Sequence, residues 1–82
     1  MFILHRISRT EGQMTHSTQF FNIDIQTGGK LPQEVKNRFY SVCAADGAAA
    51  DIDYAMEQIV DETGAVWRTE IVKEMPKAVQ AD

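Results

Sequence analysis

The sequence predicts one small α+β domain in the order ββααβ: a three-stranded antiparallel sheet with two helices, or one bent helix, packed on one face. Three observations point there. Thr18 to Gln26 alternates, with Gln19, Phe21, Ile23 and Ile25 on one side and Phe20, Asn22, Asp24 and Gln26 on the other, the period of a half-buried strand. Leu31 to Gly64 is the only stretch long enough and helical enough in pattern to cover a sheet. Val66 to Met75 alternates again, Trp67, Thr69 and Ile71 against Val66, Arg68, Glu70 and Val72.

Taken in order, Phe2 to Ser8 reads as a short apolar strand and Arg9 to Ser17 as a polar loop containing Gly12, so that the first two strands form a long-looped hairpin. Thr27, Gly28, Gly29 and Lys30 punctuate the chain, and Pro32 sits where the first turn of a helix accepts proline. Leu31, Val35, Phe39, Val42 and Cys43 give that helix an apolar stripe. The Asp46-Gly47 pair either ends it, with Asp46 capping a second helix, or bends it. From Gly47 to Glu62, Ile52, Ala55, Met56, Ile59 and Val60 recur at the three-and-four spacing of a helix face. Gly64 suits a helix C-cap and Pro76 ends the last strand, which gives a domain over residues 1–75, sheet order 1-2-3 and a flexible tail at 76–82.

Composition bounds the class. Eighty-two residues with 44% apolar and 24% charged side chains fit a globule with a thin core, since a chain this short buries only about 60% of its unfolded surface. The net charge of -4 hides a split: residues 1–45 carry five basic and three acidic side chains, residues 46–82 three and nine. Such acidity opposes binding to nucleic acid or anionic membrane and favours basic protein surfaces. The single cysteine, Cys43, excludes an intrachain disulfide, and the first residues lack the features of a signal peptide, so a cytoplasmic home is expected. No run approaches the roughly 18 apolar residues of a membrane span.

Motifs that would carry chemistry are incomplete. Gly28-Gly29-Lys30 lacks the flanking Gly and Ser/Thr of a phosphate loop, with Asp24 and Leu31 in those places. Asp51-Ile52-Asp53 lacks the oxygen ligand and glycine of a calcium loop, Ala55 and Met56 standing there. Cys43 falls on a core-facing helix side, and His5 in a strand with His16 in a loop make a poor zinc pair. No catalytic residue, cofactor or metal site is therefore expected.

On a helix, Asp53, Glu57 and Asp61 share one face, with Asp46 above and Tyr54 beside, and no Lys or Arg lies between Asp46 and Glu62. This pattern leads to the first functional expectation. The chain is expected to be a non-enzymatic interaction module, an inhibitor or adaptor of the kind encoded by phage or mobile-element accessory genes, docking Asp46, Asp53, Tyr54, Glu57 and Asp61 on a protein with a basic surface, a nucleic-acid-binding complex being one such partner. The second is a homodimer or oligomer joined through the uncovered sheet face, at Phe20, Val66, Arg68 and Val72, or through the strand edges. The third is a ligand-binding domain or small enzyme with a site between helix and sheet at His5, Cys43 or Asp24.

Overall fold

The computed structural model describes residues 1–26 and 28–74. The chain opens with β1 (Phe2–Thr10), turns at Glu11-Gly12 and returns as β2 (Gln13–Phe21). Glu11 and Gly12 both take positive φ, 52° and 80°, and Thr10 pairs with Gln13. This is the two-residue turn whose twist matches that of the strands it joins. The expected loop at Arg9–Ser17 is therefore two paired strands. β2 stops at Phe21, and the alternation over Asn22–Gln26 belongs to an unpaired connection.

A single helix follows, α1 (Gln33–Ala48), with Pro32 at its N-cap. Then come β3 (Ile52–Asp61) and β4 (Val66–Glu74). The sheet is antiparallel throughout, in the order β2-β1-β3-β4. The coarse expectation of a small α+β domain with helix on one face of an antiparallel sheet holds. The details differ: among the described residues there are four strands rather than three, one helix rather than two or a bent one, and the order 2-1-3-4 replaces 1-2-3. The stretch read as a second helix is the end of α1 followed by β3, which pairs with β1 on one side and β4 on the other. Backbone pairing on both sides outweighs a helical spacing of side chains. The tail expected at 76–82 lies outside the described residues.

The inner face of the sheet carries Phe2 and Leu4 of β1, Phe21 of β2 and Ile59 of β3, all buried against Val35 and Phe39 of α1. Each such side chain contributes about 1.5–3 kcal/mol through burial. Phe2 meets Trp67 edge to face at 5.1 Å, which extends the core toward β4. Because α1 lies over β3 and β4, β2 stays exposed along its length apart from Phe21.

Candidate functional site

The carboxylates read as one helix face are separated by β3, where side chains alternate between the two sides of the sheet. Glu57 and Asp61 point inward and are buried, and Asp46, in the last turn of α1, is buried against the same face. The row expected to meet a basic partner is thus largely interior.

Each of these acids has a local task. Asp61 Oδ1 accepts from the Thr63 and Ala65 backbone N–H groups and from the Thr63 hydroxyl, while Oδ2 accepts from Trp67 Nε1 at 2.8 Å. Those bonds close the turn between β3 and β4, and they hold the Asp61 carboxyl at about 2, below the usual range, the Thr63 and Trp67 side chains acting most. Asp46 takes a two-pronged pair from Arg6, Nε to Oδ2 at 2.8 Å and Nη2 to Oδ1 at 2.5 Å. Asp53 accepts from Arg9 Nε at 2.7 Å, and the Arg9 guanidinium also stands 5.9 Å from the centre of the Tyr54 ring.

Glu57 is the exception. It has no exposed surface, neither oxygen has a hydrogen-bond partner among the described residues, and its one opposite charge, Arg6 Nε, stands 3.6 Å away. Burial first, and the neighbouring Asp46 carboxylate second, push its carboxyl up to about 8. It is therefore largely neutral at pH 7. Burial alone would raise Asp46 too, but the bonds from Arg6 and the neighbouring Glu57 carboxyl outweigh it and hold Asp46 below its ordinary value.

Beside this cluster a cleft of about 540 Å³ runs between α1 and the uncovered part of the sheet, lined by Arg6, Ser17, Gln19, Arg38, Ser41 and Asp46 among others. Its two guanidinium groups are already engaged, Arg6 by Asp46 and Arg38 by Gln19 at 3.0 Å. Glu57 lies beneath Arg6 rather than among the lining residues. Cys43 is pushed up to about 11, chiefly by burial, which keeps its thiol protonated at neutral pH.

The outer face of the sheet has a different character. The pairings place Phe20, Ile3, Val60 and Val66 in one row across the four strands, Thr18, His5, Gln58 and Thr69 in the next, and His16, Ile7, Met56 and Ile71 in the third. These twelve side chains include no Asp, Glu, Lys or Arg. Phe20, Val66 and Ile71 are each more than half exposed, as is Met14 in the fourth row, where Arg9, Tyr54 and Glu74 stand beside it and bring charge to that end of the face.

Of the expected face residues, Phe20 and Val66 stand here, but Arg68 and Val72 do not. Register shifts at Ala55/Met56 and Ile59/Val60 turn part of β4 over. Arg68 reaches Phe39 and Tyr40 of α1 and donates to the Tyr40 hydroxyl, and Val72 lies against Gly47. The face also contains two residues read as unrelated: His5 Nδ1 and His16 Nε2 are 3.3 Å apart. No family model matches this chain, and no characterised protein or solved structure matches it.

Proposed function

We propose that this protein is a non-enzymatic interaction module whose working surface is the outer face of the sheet, and that the partner it accommodates is a second copy of itself. The observation carrying this reading is the twelve-residue patch without a charged side chain, in a protein where 24% of residues are charged. A patch without Asp or Glu offers nothing to a basic partner. It also leaves two chains of net charge -4 with one surface on which they meet without repulsion.

The shape of the chain supports the same partner. The three uncharged rows, four strands about 4.8 Å apart and about six residues of 3.3 Å deep, cover roughly 400 Å² in projection. The radius of gyration is 14.6 Å, whereas a compact chain of this length has one of about 12 Å. One helix over one side of four strands leaves the chain extended, and a second sheet packed about 10 Å away restores a two-layer core. Docking of Asp46, Glu57 and Asp61 on a basic partner draws no support from their inward placement.

The test is the mass in solution by light scattering, across micromolar to high-micromolar concentrations. Twice the 9.2 kDa of one chain is expected for the native protein. Ile71→Lys, which places a charge in the patch, is expected to give single chains with an unchanged circular-dichroism spectrum. A single-chain mass for the native protein throughout that range would overturn the proposal.

A further inference from the structure

The outer face contains one arrangement that apolar packing does not require. His5 of β1 and His16 of β2 are diagonal neighbours, since His5 pairs with Thr18 and His16 with Ile7. Their facing nitrogens, Nδ1 and Nε2, stand 3.3 Å apart, and the ring centres are separated by 5.4 Å. The Thr18 hydroxyl lies 3.4 Å from His5 Nδ1. In this geometry one ring donates a hydrogen bond to the other.

The same separation is the edge of a tetrahedral metal site. With metal–imidazole bonds of about 2.0–2.1 Å, two ligands of a tetrahedron stand about 3.4 Å apart. Turning each ring by roughly 35° brings both lone pairs onto one ion, and the pair is solvent-exposed enough to turn. Arg9 is the other diagonal neighbour of His16 on this face, and its guanidinium is engaged by Asp53 at 2.7 Å. Among the described residues no third His, Cys, Asp or Glu joins the two within one chain. A tetrahedral ion therefore needs two more ligands from elsewhere.

We propose that His5 and His16 bind a divalent transition-metal ion of the zinc, copper or nickel class, with the same pair of a second copy completing the coordination. The sharing rests on the face-to-face dimer argued above; the pairwise chelation does not. Two sheets packed about 10 Å apart leave space for imidazoles reaching from both sides to meet at one ion. Imidazole nitrogens select this class over magnesium and calcium, which take oxygen ligands.

The experiment is calorimetric titration of the metal-stripped full-length protein with Zn²⁺, with Mg²⁺ as control, alongside light scattering with and without chelator. The proposal expects half an ion per chain, no heat from Mg²⁺, and tighter association of chains when Zn²⁺ is present. His5→Ala and His16→Gln are each expected to weaken binding at least tenfold with the fold retained by circular dichroism. Binding unchanged in either variant would overturn the chelate, because a two-ligand site loses its advantage when either ligand goes. One ion per chain would overturn the sharing. A dimer that persists in chelator and binds no Zn²⁺ would overturn this inference and leave the dimer standing; single chains that chelate Zn²⁺ through both histidines would refute the dimer and the sharing together.

Discussion

At the scale of single residues, the least satisfied group among the described residues is Glu57, enclosed with no hydrogen-bond partner there and sharing Arg6 with Asp46. Because its carboxyl is raised to about 8, folding takes up a proton between the ordinary glutamate range and that value. Stability must then fall as pH rises across that window, by up to about 1.4 kcal/mol per pH unit. Glu57→Gln keeps the shape and removes the titration, so urea melts from pH 5 to 9 should show a flatter profile and a more stable protein at the alkaline end. A wild-type profile rising through that range would contradict the assignment. Asp46 works in the opposite sense. Its carboxyl is held low, so its contribution is present above the ordinary aspartate range and lost as pH falls through its lowered value. Asp46→Ala leaves Arg6 facing only Glu57, which loses one of the two influences that raise its carboxyl and ionises more readily there. A loss of about 2 kcal/mol is expected at pH 7, below the 3–5 of a fully enclosed pair because Arg6 is one-third exposed.

At the scale of elements, what the sequence made legible depended on where the charges lie. α1 was readable because Pro32 opens it and Val35, Phe39, Val42 and Cys43 recur toward the core. β3 was not. Its inward positions include Glu57 and Asp61, and its outward ones Met56 and Val60, so the in-out alternation of a strand is broken on both faces. The remaining apolar residues happen to fall at helical spacing, although the β-branched and aromatic content of Ile52, Tyr54, Ile59 and Val60 favours a strand. Nothing in one sequence announces that a glutamate will be covered by a helix from elsewhere in the chain. The histidine pair stayed hidden for a related reason: residues 13–17 are the solvated first half of an edge strand, so they need no alternation and read as loop. The clue that remained was Glu11-Gly12, a tight turn that fixes the register joining His5 to His16. Glu11 is held at positive φ, which a side chain other than Gly or Asn adopts at a cost. Glu11→Asn should therefore stabilise the hairpin by roughly 0.5–1 kcal/mol, measured as a raised melting temperature, with unchanged register in amide exchange.

At the scale of the whole molecule, the thin core and the open sheet face are one fact. Among the described residues nine apolar side chains are buried, and they lie mostly between α1 and the inner face of the sheet, while Met14, Phe20, Val66 and Ile71 remain over half exposed on the other side. A chain of this size gains little margin from one layer of contact. If a second copy covers the outer face, part of the folding free energy comes from association, and the folded state is favoured by mass action. The melting temperature of the native protein should then rise with protein concentration, by a few degrees over a hundredfold range, because dimer and unfolded chains differ in molecularity. Ile71→Lys should abolish that dependence and lower the melting temperature toward that of the isolated chain. Phe39→Ala separates the two contributions. It cuts the inner core and should cost about 3–5 kcal/mol, yet the concentration dependence should persist wherever the variant still folds. A native melting temperature independent of concentration would mean that the single helix layer stabilises the fold unaided and that the outer face lies open to water.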